Sequence, residues 1–321
     1  GNQVLQITKG KYDVQELIGY DEEEKKLYLQ SAMSSPLNRE VYEYNFKTRE
    51  LKNLSSKEGT NDAEFSSSFK YFINTNTSAN SPHYINMNSI NGKEIYVIQD
   101  NAGLKNMMEE YQFSTMEFFK IKTDGGIELN ASMIKPKDFD PAKKYPVLMY
   151  VYGGPGSQTV TNSWGWFNFA WFQMLAQKGY IIVSVDNRGT GARGQEFKKM
   201  TYMQLGKYET EDQINAAKYL GGLDYVDAKR IGIFGWSYGG YMSTLCMTKG
   251  ADYFKAGIAV APVTNWRYYD NIYTERFMQL PQTNASGYDE NSPISHTKLL
   301  KGKYLLVHGV ADDNVHVQNS M

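Results

Sequence analysis

Among 321 residues there is one cysteine, Cys246, and there are only four histidines. A single thiol excludes an intrachain disulfide and any multi-cysteine metal centre, and its place in a helix-like run suits a buried small hydrophobe. Charge of one sign is also lacking. Thirty-four Lys and Arg against 35 Asp and Glu leave a formal net charge of -1, which gives no electrostatic reason to expect nucleic acid or an anionic membrane as partner. No apolar run approaches the length of a membrane span, and no signal sequence is visible. The chain opens Gly1-Asn2-Gln3-Val4 without an initiator Met and stops at Met321 just after a strand and a turn, so it reads as a window on something longer. What it has in quantity is apolar residues, 41%, over a length that allows two domains with separate cores. Sequons at Asn53, Asn76, Asn130 and Asn284 do not decide a compartment, because chance produces several in a chain this rich in Asn and Ser.

The most informative stretch is Gly235-Trp236-Ser237-Tyr238-Gly239, a Gly-x-Ser-x-Gly pentapeptide. Before it, Ile231, Ile233 and Phe234 form an apolar run typical of a buried parallel strand; after it, Tyr241 to Met247 continue without a breaker, as a helix would. A serine at such a corner is held in a tight turn with its hydroxyl projecting into a cleft. The amide of the next residue, Tyr238, then faces a developing oxyanion. Ser237 is the candidate nucleophile.

From residue 1 to about 111 short alternating runs are separated by polar turns. Strands are predicted at 26–29, 40–44, 71–73, 83–85 and 95–98, with almost no helical periodicity. Leu27-Tyr28-Leu29 is echoed by Tyr71-Phe72-Ile73, and Val41-Tyr42 by Tyr84-Ile85, an offset of the forty-odd residues that fits a four-stranded propeller blade, although a β-sandwich would give similar strands. A hairpin around Gly125-Gly126 follows, and the domain boundary is set near Ser114.

Beyond it strands alternate with helices: strand-like runs at 145–152, 180–185, 230–234, 257–260 and 304–307, and a helix over 209–220 behind an acidic first turn. This alternation predicts a parallel sheet covered on both faces, with its active site beyond the C-terminal ends of the strands. Arg188-Gly189-Thr190-Gly191-Ala192-Arg193-Gly194 carries the glycine spacing of a dinucleotide fingerprint. Residues 195–199 lack the apolar face of a helix packed on a sheet, however, and a structural Gly-rich turn is the better reading.

In an α/β-hydrolase the acid follows the nucleophile and the histidine comes last. The loop after the 304–307 run offers Asp312 and Asp313, placed to orient an imidazole. No histidine suits the base: His83 lies in the β region, His296 precedes the acid strand, His308 stands in that strand and His316 is four residues past Asp312. The base is expected beyond Met321, which would leave this window catalytically incomplete.

With these residues in view, the chain resembles the prolyl oligopeptidase family of serine peptidases, and within it the dipeptidyl peptidase IV branch. The likeness is densest around Tyr145-Pro146 to Gln158, Asp186 to Gly189, Gly235 to Tyr241, Ala261 to Arg276 and His308 to His316. It implies the last blades of a β-propeller over 1–113 and an α/β-hydrolase domain over 114–321 that lacks the segment with the histidine. It also implies Ser237 as nucleophile, Asp312 as triad acid, and Tyr152 sharing the oxyanion hole with the Tyr238 amide. Tyr238, Val263, Trp266, Tyr269, Tyr273 and Val315 surround the pocket for the residue before the scissile bond, and Asn314 takes a substrate carbonyl. An aromatic slot of this kind suits a proline ring and offers polar side chains no partner, so Pro, or less well Ala, is the preferred residue.

The activity so implied is release of N-terminal dipeptides through an acyl-enzyme from peptides with a penultimate proline, without metal or organic cofactor. The glutamate pair that grips the substrate's amino terminus in this branch belongs to an earlier propeller segment, and Glu22-Glu23-Glu24 is in the wrong place to serve. Prolyl tripeptidyl aminopeptidase and acylaminoacyl peptidase activities of the same family therefore stay open. So do an esterase on the same fold and a catalytically inactive relative that binds peptides or proteins. The branch also implies homodimerisation and an extracytoplasmic location.

Overall fold

The computed structural model describes residues 4–165 and 168–321. The chain divides into two units, one of Gly1–Phe113 with Thr161–Asn168 and Gly191–Glu196, the other of Ser114–Val160, Phe169–Thr190 and Phe197–Met321.

The first unit holds two four-stranded antiparallel meanders, β1 (Val14–Asp21), β2 (Lys26–Ser31), β3 (Glu40–Asn45) and β4 (Leu51–Asn53), then β5 (Thr60–Phe65), β6 (Tyr71–Ser78), β7 (Ser81–Ser89) and β8 (Glu94–Gln99). The echo in the sequence has its counterpart here: Leu27-Tyr28-Leu29 lies in the second strand of the first sheet and Tyr71-Phe72-Ile73 in the second strand of the next. Tyr28, Val41, Leu54, Ala63 and Phe72 make one small core from the two sheets. Buried asparagines accompany it, and Asn61 is the hub. Its amide nitrogen donates to the carbonyls of Arg39 (3.1 Å) and Lys57 (2.9 Å), while its oxygen accepts from Asn76 at 3.1 Å. The excursion at 161–168 groups with these sheets because Asn162 is bonded into them: its backbone N–H donates to Leu37 O at 2.8 Å and its side-chain oxygen accepts from the Ala79 N–H at 3.0 Å.

One element was not foreseen. Helix α1 (Ala102–Glu110) was passed over although Leu104, Met107 and Met108 stand at helical spacing. The stripe is short, and none of the helix's residues is buried.

The second unit is a seven-stranded sheet with helices. In chain order it contains β9 (Met116–Lys122), β10 (Glu128–Ile134), β11 (Tyr145–Tyr150), α2 (Phe169–Gln177), β12 (Ile181–Asp186), the second half of α3 (Gln195–Lys198), α4 (Lys207–Gly221), β13 (Val226–Trp236), α5 (Tyr238–Lys249), β14 (Ala256–Val260), α6 (Asn271–Met278), α7 (Ala285–Asp289) and β15 (Lys303–Val307). The strand order is β15-β14-β13-β11-β12-β10-β9. Five strands run parallel, and the predicted hairpin joins the sheet as an antiparallel edge through β10 and β12, so the sheet is mixed rather than purely parallel.

Both faces are covered. Along β12, Ile181, Val183 and Val185 belong to the larger core, while Ile182 points to the opposite one with Ile134, Phe172 and Ala176. The Gly-rich stretch at 188–194 leads into α3, which is a single turn with only Phe197 buried. A dinucleotide fingerprint instead opens a full helix packed on its sheet.

Candidate active site

Three adjacent parallel strands end level with one another. Trp236 of β13 pairs with Val260 of β14, and Val260 with Val307 of β15, so whatever follows each strand emerges at the same edge. The ladders run one step further: the Ser237 N–H donates to Val260 O (2.8 Å), Ala261 N–H to Val307 O (2.7 Å) and, beside β13, Val151 N–H to Phe234 O (3.0 Å). Ser237, the Ala261–Val263 segment, the 308–316 loop and Tyr152 thus spring from neighbouring positions. With strands about 4.8 Å apart, the nucleophile candidate and the Asp312 loop start only two strand spacings from each other.

Ser237 sits at φ 56 and ψ -118 between β13 and α5, a strained conformation for a residue with a side chain. It is half-buried, and its hydroxyl does not cap the helix it opens. The flanking glycines are required by close approach. A Cβ on Gly235 would lie 2.6 Å from Val151 O, and one on Gly239 2.2 Å from the same carbonyl and 3.2 Å from Tyr152 Cα. The backbone that carries Tyr152 is therefore pressed directly against the serine turn. Tyr152 stands two residues past the end of β11 rather than on its last position. Its ring lies 5.9 Å from that of Tyr238, and burial raises its phenol above the ordinary value.

The other aromatic candidates form one connected cluster. Tyr238 packs on Trp266 (5.4 Å between centroids), Trp266 on Tyr269 (5.9 Å) and Tyr273 (5.7 Å), and the last two on each other (5.5 Å). Local structure holds these rings. Asn265 accepts from Arg267 N–H to start the turn that carries Trp266, and the Asp270 carboxylate accepts from Tyr273 N–H (2.8 Å) to cap α6. Trp266, Val263, Val315 and Tyr238 are buried in the same core, while Tyr152, Tyr269 and Tyr273 stay partly open. A cavity of about 640 Å³ adjoins this cluster, lined in part by Pro155, Gly156, Tyr202, Arg276 and Phe277.

Asp312 is only partly exposed and organises its own loop. One carboxylate oxygen accepts from the backbone N–H groups of Asn314 (3.0 Å) and Val315 (2.9 Å). The other lies 3.6 Å from His308 Nε2. That imidazole is already engaged at both nitrogens, with Ser320 Oγ at 2.6 Å and Val315 O at 2.7 Å, so it reads as the pin of the loop. Asn314 accepts from the Tyr269 hydroxyl at 2.7 Å, and Tyr269 feels the charge of Asp312, which ties the acid loop to the aromatic cluster. Asn319, which sequence reasoning passed over, receives Thr264 N–H at 3.0 Å and fastens the same loop to the segment after β14.

Two further supports were missed. Asn187 donates to Gly153 O (3.0 Å), one residue past Tyr152, and is itself held by Gln213 (3.0 Å). Beside it Arg188 grips Asp212 with two side-chain donors, at 3.0 and 2.8 Å. The Gly-rich motif had drawn attention to this turn for a different reason. The second support is Glu209, noted only as part of an acidic first helical turn and in fact fully buried. Nothing local in the sequence marks it.

A half-exposed serine at a strained strand-to-helix turn, backed by a tyrosine and faced by an acid loop, defines a serine α/β-hydrolase. Comparison narrows this. The prolyl oligopeptidase family profile matches residues 166–321, and that of the dipeptidyl peptidase IV N-terminal region matches 1–83. A crystal structure of Porphyromonas gingivalis dipeptidyl peptidase 4 superposes with a TM-score of 0.94 at 49% identity, covering 98% of this chain and 44% of that one. Among curated proteins, the "Probable dipeptidyl peptidase 4" of Emericella nidulans is 37% identical over 327 residues (100% of this chain, 42% of that protein). The "Probable dipeptidyl-aminopeptidase B" of Sclerotinia sclerotiorum is 40% identical over 324 residues (98% and 35%). The chain belongs to the prolyl oligopeptidase family of serine peptidases, on its dipeptidyl peptidase IV branch, with propeller blades followed by the α/β-hydrolase part. It spans less than half the length of these relatives.

Proposed function

We propose that the full-length protein is a serine exopeptidase that releases N-terminal dipeptides by cleavage after proline, and less well after alanine. The observation that carries this reading is the packing of the Tyr152 backbone against the Ser237 turn, beside an aromatic cluster that ends on the Asp312 loop. Ser237 Oγ attacks the scissile carbonyl and passes its proton to a histidine outside these 321 residues. Asp312 orients that imidazole and stabilises it once charged. The carbonyl oxygen becomes an oxyanion that accepts from the Tyr238 N–H and the Tyr152 hydroxyl, the latter worth about 3 to 4 kcal/mol of barrier. The amine leaves with the proton from the histidine, and water releases the dipeptide from the acyl-enzyme.

A proline ring fills the slot walled by Tyr238, Val263, Trp266, Tyr269, Tyr273 and Val315; burying about 100 Å² of it contributes roughly 2.5 kcal/mol. Asn314 takes a carbonyl of the bound peptide. Action outside the cytoplasm and dimerisation belong to the same proposal and rest on kinship alone.

The test compares hydrolysis of Gly-Pro-p-nitroanilide, Gly-Gly-Pro-p-nitroanilide and p-nitrophenyl butyrate by the full-length protein, together with labelling of Ser237 by a fluorophosphonate. Preference for the first substrate with labelling supports the reading. Preference for the tripeptide makes the protein a tripeptidyl peptidase, ester turnover without prolyl turnover makes it an esterase, and no labelling removes the enzyme.

A further inference from the structure

Glu209 is the third residue of α4 and has no exposed surface. One carboxyl oxygen accepts from the Tyr238 hydroxyl at 2.8 Å, and the other from the Gly206 N–H at 2.9 Å. Gly206 is itself fixed: its φ is +89, and a Cβ there would lie 2.0 Å from the Tyr241 hydroxyl. The groups that face the carboxyl are the phenols of Tyr238 and Tyr241 from α5 and that of Tyr273 from α6. On its own helix stands Asp212, bound to Arg188. Burial away from water makes this acid expensive to ionise and pushes Glu209 up to about 8, although the Gly206 amide and the Tyr238 hydroxyl pull the other way.

We infer that Glu209 is a positioning residue for the reaction proposed above: by holding the Tyr238 phenol it fixes both the amide aimed at the oxyanion and the ring that walls the proline slot. Tyr238 is unusual in having two tasks on one residue, separated only by its Cα and Cβ. Its ring touches those of Tyr152, Tyr241 and Trp266, and the Glu209 hydrogen bond sets how far the ring reaches among them. A small rotation would alter slot depth and amide direction together, and misplacements of this size are costly in a preorganised site. The charge state matters as well. A buried carboxylate beside Tyr238 opposes negative charge developing at the adjacent amide, so the neutral acid is the productive form. The inference rests on the serine-peptidase reading for its substrate, but not for the reactivity of Ser237.

The experiment measures two quantities on full-length wild type, E209L, E209Q and Y238F between pH 6 and pH 10. They are kcat and KM for Gly-Pro- and Gly-Ala-p-nitroanilide, and the second-order rate of fluorophosphonate labelling, normalised to titratable active sites. E209L is expected to lose about 10- to 100-fold in kcat/KM on the prolyl substrate and to narrow the Pro-over-Ala preference. E209Q keeps an acceptor for the phenol, and is expected to recover most of that loss and to abolish the fall in wild-type rate above about pH 8. Y238F should resemble E209L, and the E209L/Y238F double variant should be no worse than either single one.

A merely structural Glu209 would lower thermal stability while leaving the Pro-over-Ala ratio and the alkaline limb per active site as in wild type, and that result overturns the inference. Should E209L not fold, the E209Q pH profile and the Y238F ratio decide alone. Wild type that is labelled but cleaves neither peptide refutes the peptidase reading, and the labelling rates of the variants still test the role of Glu209.

Discussion

The meanders of β1 to β8 and the sheet of β9 to β15 bury their interiors by different chemistry. In the first unit a small apolar core is supplemented by asparagines that satisfy one another and nearby carbonyls, as Asn61 does with Asn76, Arg39 and Lys57. In the second a large apolar core is interrupted at a few points by acids: Glu209, Asp186 and Asp212, all nearly or fully inaccessible. The amides of the Asn61 network carry no charge and no titration, although the blades also bury Glu40 and Glu43, each accepting from a tyrosine hydroxyl. In the second unit burial raises all three acids. Asp186, though bonded by Thr159 and Val160, is pushed up by burial to about 6, and Glu209 to about 8. The acids cluster beside the serine turn and its supporting loops, where rigidity of position is worth more than ease of burial.

The sharpest way to separate the two regions is at the turn itself. In the full-length enzyme, S237A should lower kcat by about a million-fold and abolish fluorophosphonate labelling with little change in unfolding temperature. A residual rate close to wild type would move the nucleophile elsewhere. Next in size, Y152F should cost roughly a hundred- to a thousand-fold in kcat with a modest change in KM, read by steady-state kinetics on the prolyl substrate. An equal loss expressed only in KM would make Tyr152 a binding residue.

The pH contrast comes third. A carboxyl with an ordinary value of 4.5 that is held at about 8 keeps its proton in the folded chain over a window where the unfolded chain has released it. The folded state then binds more protons, so stability falls as pH rises from about 4.5 to 8, by up to about 1.4 kcal/mol per pH unit, and levels off above. The difference in thermal midpoint between E209Q and wild type should grow in favour of the variant across that window. A constant difference would place the acid's titration outside it.

The smallest expected effect lies in the blades. N61A strips hydrogen bonds from Asn76 and from the carbonyls of Arg39 and Lys57 and should cost about 1 to 3 kcal/mol, equally at pH 5 and pH 8, with kcat per active site unchanged. Hydrogen exchange of β5 and β6 would register it, and a pH-dependent loss would break the distinction drawn here.

Much of the fold was legible because its signals are local. Two-residue alternation marks the strands of the meanders, continuous apolar runs mark β11 to β14, and Gly235 to Gly239 announce a turn that only small residues permit. The helix α1, with no buried face, escaped; the β9–β10 hairpin was read from Gly125-Gly126, but its docking as the antiparallel edge of the sheet was not, since that pairing with β12 is decided outside the hairpin. Among the site residues, Ser237 could be found from its neighbours in sequence, while Tyr152, and Asp312 rather than Asp313, were named from the family resemblance.

By itself the sequence determined the element types, the serine turn and the succession of strand and helix, because these follow from side-chain period, glycine placement and backbone sterics within a few residues. The tertiary structure alone decided that three strand ends would lie level and that Glu209 would be sealed under Tyr238. It also decided that Asn187 would hold the loop past Tyr152. Those contacts join residues 29 and 34 positions apart, and only the packing of the sheet brings their partners within hydrogen-bonding distance.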